Sequence, residues 1–207
     1  MDGDGTLQYE ALGDLKQMEA VGSKNGVNII VLMDTYDLTL PTETHWYFVG
    51  EGNTHVDEEA LFHHCDCEAI TGEACPGELN MGDGATLTYF IEKSVAYAPA
   101  ENYMLVLWDH GGGWWGVCWD DSSPLPEDPD SGRFDRLTTE EVSAAILAAG
   151  FDEDNKLDII GYDACLNGMI EVAYENKKYA DYMLASVTSI PFPGWDYTRF
   201  LQNLTAN

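Results

Sequence analysis

The hydrophobic positions along the chain follow two alternating rhythms. Val27–Met33, Tyr103–Trp108, Leu157–Tyr162 and Tyr182–Val187 are short apolar runs, each closed by a polar residue or a glycine. Runs of this length without helical spacing predict buried strands. Between them, apolar residues recur three and four apart. Leu12, Leu15 and Met18, with Leu7 ahead of them, do so within Thr6–Ala20, and similar stripes cross Ala85–Ala98, Val142–Ala149 and Met169–Ala180. These predict amphipathic helices, and Thr138 followed three residues later by Glu141 predicts a capping box at the start of one of them.

Strands alternating with helices at this spacing need crossover connections, so the pattern predicts an α/β fold, a mainly parallel sheet with helices on both faces. Two stretches break the rhythm. Residues 39–80 hold most of the His and Cys and read as an insertion, and residues 119–137, crowded with Asp, Pro, Ser and Gly, read as an acidic loop. Neither an internal repeat nor a second domain is visible, so residues 1–207 read as one domain. Composition agrees: 207 residues, 45% hydrophobic and 12% aromatic, supply a real core. The formal net charge of −28 argues against a nucleic-acid partner, since binding one takes cations to neutralise phosphates. No apolar run approaches the roughly 20 residues that span a bilayer, so no membrane segment is expected. The expected state is a monomer.

In an open parallel sheet, ligands sit beyond the carboxyl ends of the strands. Here those ends are chemically rich. Tyr103–Trp108 runs into Asp109-His110-Gly111-Gly112-Gly113, Leu157–Tyr162 into Asp163-Ala164-Cys165, and Tyr182–Val187 into Thr188-Ser189. A cysteine between a strand and a helix N-terminus is favoured as thiolate, and a nearby imidazole can protonate a leaving amine. The glycines after His110 let main chain approach a substrate, and the Gly111 N–H can aim at a developing oxyanion. His110 and Cys165 lie 55 residues apart, close to the caspase-type spacing.

Leu105-Val106-Leu107-Trp108-Asp109-His110-Gly111-Gly112-Gly113-Trp114 and Leu157-Asp158-Ile159-Ile160-Gly161-Tyr162-Asp163-Ala164-Cys165-Leu166 resemble the catalytic His and Cys blocks of the clostripain family of cysteine peptidases. Asp14–Glu19, Gly77–Gly82 and Gly194-Trp195-Asp196-Tyr197 extend the resemblance over nearly the whole chain. It implies a caspase-like three-layer sandwich, Cys165 as nucleophile, His110 as acid/base, and an oxyanion hole from the Gly111 and Cys165 amides. It also implies cleavage of peptides or proteins after Arg or Lys, in some members with calcium dependence and self-processing; the chemistry itself requires no cofactor. The family pattern further implies that Met1 is the tail of a missing first strand, and that the chain is a fragment also lacking a C-terminal part. Two positions depart from the pattern: Asn167 stands where Met is usual, and Ala185–Ser189 carries no acidic residue.

A pocket for a basic residue needs a desolvated carboxylate. Asp163 is the first candidate and Asp196 the second, with Thr188 and Trp195 as further substrate-binding candidates; a helix-capping role is the structural alternative for Asp163. Arg133 and Arg136, two of the three arginines, stand in the acidic loop and are candidate self-processing sites. Asp2-Gly3-Asp4-Gly5 imitates part of an EF-hand loop but lacks its register, which leaves only a looser calcium site open. A non-catalytic metal-binding or interaction module is the rival reading, because His63, His64, Cys65, Cys67 and Cys75 offer zinc ligands, or disulfides in an exported protein. A secreted or cell-surface location is expected, although the chain opens with no signal peptide.

Overall fold

A computed structural model describes residues 1–35, 44–51, 53–55 and 79–206. In chain order the elements are β1 (Asp2–Gly3), α1 (Gln8–Glu19), β2 (Ile30–Thr35), β3 (His45–Gly50), β4 (Asn53–His55), α2 (Gly84–Tyr97), β5 (Met104–Trp108), β6 (Val117–Pro124), β7 (Phe134–Leu137), α3 (Thr139–Ala148), β8 (Leu157–Asp163), α4 (Ile170–Asn176), β9 (Ala180–Leu184) and α5 (Tyr197–Leu204). They fall into two compact units. One comprises Met1, Gly3–Leu79 and Phe192–Asn207, the other Asp2 and Asn80–Pro191.

In the first unit, β2, β3 and β4 form an antiparallel meander with Ile30 opposite Phe48 and Phe48 opposite His55. Helix α1 buries Ala11, Leu15 and Met18. Helix α5 starts where the Asp196 carboxylate accepts the Arg199 N–H at 2.9 Å, and it buries Tyr197 and Leu201, one turn apart. Gln17 joins the two helices, accepting the Tyr197 N–H at 3.1 Å through its side chain and the Thr198 hydroxyl at 3.1 Å through its carbonyl.

The second unit is built on three parallel strands in the order β5-β8-β9. Met104 lies opposite Ile159 and Trp108 opposite Asp163; Leu157 lies opposite Ala180 and Gly161 opposite Leu184. Leu105, Leu107, Ile160 and Tyr162 from the strands pack with Leu87 and Ile91 of α2, Val142, Ala145 and Ile146 of α3, and Val172 of α4. The Thr138–Glu141 capping box forms as the spacing predicts. Asn176 anchors α4 by donating to the Tyr162 hydroxyl at 2.8 Å inside this core.

The predicted strands and helices are all present, with ends displaced by up to four residues. Residues 119–137 differ from the loop the composition predicts. They form most of an antiparallel β6–β7 hairpin with Trp119 opposite Arg136, joined through a short 3₁₀ turn at Pro129–Ser131. Side chains hold this polar hairpin in place. The buried Asp120 carboxylate accepts the Met81, Ser122 and Ser123 N–H groups at 2.7, 3.1 and 2.8 Å, and Asp135 accepts from the Asn80 amide at 2.7 Å. The described part of residues 39–80 likewise contains strands, β3 and β4. Its His63, His64, Cys65, Cys67 and Cys75 lie outside the described residues.

Candidate active site

Strands β5 and β8 are adjacent and parallel, so their carboxyl ends reach the same edge. Trp108 is opposite Asp163, and the Asp109 N–H donates to the Asp163 carbonyl at 3.4 Å, one step beyond the ladder. His110 follows Trp108 by two residues, and Cys165 follows Asp163 by two. The register therefore carries both to equivalent places past the sheet, with strands about 4.8 Å apart.

The two segments touch through glycine. A Cβ on Gly111 would overlap the Cys165 carbonyl oxygen and Asn167 Oδ1 and lie 2.8 Å from the Cys165 nitrogen. Only a residue without a side chain lets the main chains come this close. Gly113 has φ +67°, and a Cβ there would meet the Met169 sulfur at 2.6 Å. The buried Asn167 closes the contact by donating from Nδ2 to the Gly113 carbonyl at 3.2 Å. Among the described residues, the Gly111 and Cys165 amides donate to no main-chain acceptor outside the ladders, whereas the neighbouring Gly112 and Leu166 amides are spent on Gly116 at 3.0 Å and Thr188 at 3.2 Å.

Cys165 is half-buried at the start of a sharp turn in which Leu166 adopts φ +66°, a left-handed conformation that side chains other than glycine rarely take. The segment after β9 secures this turn. Ser186 accepts the Gly168 N–H at 2.8 Å, Thr188 accepts from Leu166, and the Ile190 N–H points at the Cys165 sulfur at 3.4 Å. Cys165 does not immediately precede a helix: α4 begins at Ile170, and the turn through Gly168 intervenes. A helix-terminus field, which fades within a turn, therefore does not explain the sulfur's environment.

His110 is exposed, and the buried Asp109 next to it fixes its backbone. Burial pushes the Asp109 carboxyl well above the usual range, against the downward pull of the N–H groups it accepts from His110 and Trp119, the latter at 2.7 Å. Asp121 is raised by partial burial and pulled back by His110, which places the imidazole within its electrostatic reach.

Asp163 is 2% exposed at the end of β8. It does not cap α4, whose N-cap is Met169. Thr188 is exposed and holds the Cys165 turn through its carbonyl. Trp195 and Asp196 belong to the other unit, where Trp195 packs beside Tyr197 and Phe200 and Asp196 caps α5. Arg133 is exposed just before β7. Arg136 lies within β7, donates from Nε to the Trp115 carbonyl at 3.1 Å and stacks 4.9 Å above that residue's ring. Among the described residues no group of three or more His, Cys, Asp or Glu is gathered to hold a metal ion. No described helix is long and apolar enough to cross a membrane. Two contributors escaped the sequence reading. Ile190 carries no chemical signal because it acts through its main chain, and Asn167 was visible only as a polar residue in a family position usually held by Met.

The model of the clostripain family, Peptidase C11, matches residues 1–207. Clostripain of Hathewaya histolytica is 31% identical over 229 aligned residues, covering 99% of this chain and 41% of that protein. A secreted C11 cysteine protease from Bacteroides thetaiotaomicron, solved with an irreversible peptide inhibitor, aligns with a TM-score of 0.66 at 23% identity over 98% of this chain and 51% of its own. An inactive zymogen C11 protease from Parabacteroides distasonis aligns with a TM-score of 0.59 at 25% identity, covering 95% and 49%. These likenesses establish a caspase-like α/β fold. The chain spans about half the length of these relatives or less.

Proposed function

Because the chain belongs to the clostripain family of peptidases, we propose that it is a cysteine endopeptidase with Cys165 as nucleophile and His110 as acid/base. The Cys165 thiol gives its proton to His110 as its sulfur attacks the scissile carbonyl carbon, and the carbonyl π pair moves onto oxygen. The Gly111 and Cys165 amides receive that oxyanion. Collapse breaks the C–N bond, His110 gives its proton to the departing amine, and a thioester remains on Cys165. Water, deprotonated by His110, attacks the thioester carbon; the C–S bond breaks to release the acid, and His110 returns the proton to sulfur, restoring the thiol. One observation carries the reading: Gly111 packs directly on the Cys165 main chain at the shared edge of β5 and β8.

A basic residue before the scissile bond is the specificity we assign, with Asp163 as its counter-charge. A carboxylate this buried gives a desolvated cation the partner it needs. Thr188, beside the Cys165 turn, completes the substrate-binding assignment. Self-processing in the hairpin falls after Arg133 rather than Arg136, since Arg133 is exposed while Arg136 is paired in β7 and held by Trp115. Secretion, stated for the Bacteroides relative, is extended to this chain on the same footing.

The test uses fluorogenic peptides that vary only in the residue before the scissile bond, with and without calcium. Cleavage after Arg and Lys that vanishes in Cys165→Ala is the expected result. Equal cleavage by that variant excludes the mechanism, and an Asp163→Asn variant that keeps its preference for basic residues excludes the assigned counter-charge. Mass spectrometry of the protein locates any internal cut, which Cys165→Ala must lack if the protein processes itself.

A further inference from the structure

Helix α4 turns Val172 and Asn176 into the core. Its opposite face should be polar, yet it carries Ile170 at 76% exposure and Tyr174 at 62%, one turn apart. Beside them run Glu171 and Glu175, also one turn apart, whose like charges repel. Across from this face stands Trp114, 62% exposed, and Glu140 at the start of α3. Together they line an open groove of about 400 Å³, within the size range of small-ligand sites.

The two tryptophans that follow Gly113 have different surroundings. Arg136 stacks on Trp115, and Trp119 meets the same ring edge to face at 6.1 Å. Trp114 has no ring or cation partner among the described residues. Its carbonyl, however, accepts the Thr139 hydroxyl at 2.9 Å, which fixes the groove wall. The groove's three glutamates likewise enter no ion pair among the described residues. The Tyr174 ring already carries a cation, with the Lys177 ammonium 3.5 Å from its centroid. Aromatic faces beside unpaired carboxylates suit an alkylammonium or guanidinium group on an apolar stem.

The groove adjoins the proposed catalytic turn. Trp114 directly follows Gly113, which packs on Met169, and Ile170 directly follows Met169. It shares no residue with the segment 185–190 that holds the Cys165 sulfur. We propose that this groove is a second cation-selective subsite, binding a Lys or Arg side chain of the polypeptide substrate away from the scissile residue. The proposal rests on the peptidase reading for its substrate, but the groove's chemistry can be tested separately.

Quenched fluorescent peptides with Arg fixed before the scissile bond, and Lys, norleucine or Glu placed one to three residues beyond it, read the preference. Lys peptides should show kcat/KM about 5- to 20-fold above norleucine peptides, chiefly through KM, with Glu peptides lowest. In Glu171→Gln/Glu175→Gln, and separately in Trp114→Ala, the Lys-to-norleucine ratio should fall toward one, while a Glu127→Gln control in the hairpin keeps it. A ratio near one in the unaltered protein, or one unchanged in the groove variants, overturns the proposal. The same peptides are titrated into Cys165→Ala by calorimetry, which needs no turnover. Tighter binding of Lys peptides that is lost with the two glutamates supports the subsite even if no peptide is ever cut, a result in which only the peptidase reading fails. Equal binding of Lys and norleucine peptides overturns the subsite while leaving catalysis intact. Trp114 fluorescence, taken as the difference from Trp114→Phe, must also be open to quenching by acrylamide, a neutral quencher, in the peptide-free protein. A shielded ring means that protein already covers the groove and likewise overturns the proposal.

Discussion

Two cysteines in the second unit sit at kinked backbone, and their surroundings differ in almost every other respect. Cys118, near the start of β6, has φ +56°, is 4% exposed, and points its thiol at the Trp108 carbonyl at 3.9 Å. Burial, and after it the charge of Asp109, pushes that thiol well above its usual range. Cys165 is half-buried, follows a strand edge, and its sulfur receives an N–H from Ile190. An unusual φ therefore does not mark a reactive sulfur by itself. Access, a donor aimed at sulfur, and glycine-lined main chain alongside distinguish one from the other.

The largest effect should come from removing each sulfur in turn. Cys165→Ala is expected to lower peptide hydrolysis by at least about 10³-fold, as loss of a catalytic nucleophile does. Cys118→Ala should keep activity within about threefold and cost about 1 kcal/mol of stability from the small cavity left behind. Hydrolysis assays and thermal melts of the two variants check both halves, and comparable activity losses would erase the distinction.

Alkylation sharpens the contrast without requiring a substrate. With iodoacetamide at pH 7.5, peptide mapping should find Cys165 modified at least about 100-fold faster than Cys118. A raised acid constant keeps a thiol protonated to higher pH, so the Cys118 rate should stay flat through pH 9, where an ordinary thiol of pKa about 8.5 is largely ionised. The same shift has a sign for stability. The folded state holds Cys118 neutral while the unfolded chain ionises it, so this contribution is full below about pH 8.5 and is lost above it. Urea melts from pH 7 to 10 should therefore fall less steeply for Cys118→Ala than for the unaltered protein.

Gly111→Ala moves from the sulfur to its support. The added methyl would overlap the Cys165 carbonyl oxygen, so the His110 segment and the Cys165 turn must separate. A loss of about 10²-fold in kcat is expected, the scale of removing an oxyanion donor. An active Gly111→Ala enzyme would show that the close approach is incidental to turnover.

How much of this was legible beforehand followed burial. β5 and β8 could be read because strands covered on both faces are continuous apolar runs, and their parallel pairing then carried His110 and Cys165 to one edge. The β6–β7 hairpin could not, because Val117–Pro124 is polar, ends in proline, and stays ordered through the Asp120 and Asp135 side chains. Helix α5 did leave a signal, an aspartate cap followed by Tyr197, Phe200, Leu201 and Leu204 at full helical spacing, and was missed because the element is only eight residues long. The helix starting near Met169 is legible from its periodicity, but that signal does not reveal the turn that separates it from Cys165. Nothing in composition could have assigned Ile190, whose contribution is a backbone N–H.

Asn167 gives the smallest expected effect and the finest test of the contrast. Its Nδ2 bonds the Gly113 carbonyl, while its Oδ1 is buried beside Gly111 with no hydrogen-bond partner among the described residues. Asn167→Leu removes one buried hydrogen bond and at the same time one unsatisfied acceptor, and each change is worth about 1–3 kcal/mol with opposite sign. Stability should therefore move by no more than about 1 kcal/mol, while kcat falls roughly tenfold if the Gly111–Gly113 segment, the proposed oxyanion donor, is no longer pinned to the Cys165 turn. Asn167→Asp should be worse on both counts, since it supplies no donor to Gly113 and buries a charge there. Alkylation of Cys165 separates the two regions once more: its rate should change far less than kcat, because Asn167 orders the partner segment rather than the sulfur. A Leu variant with full turnover would move the pinning role to the Ser186 and Thr188 contacts on the other side of the turn.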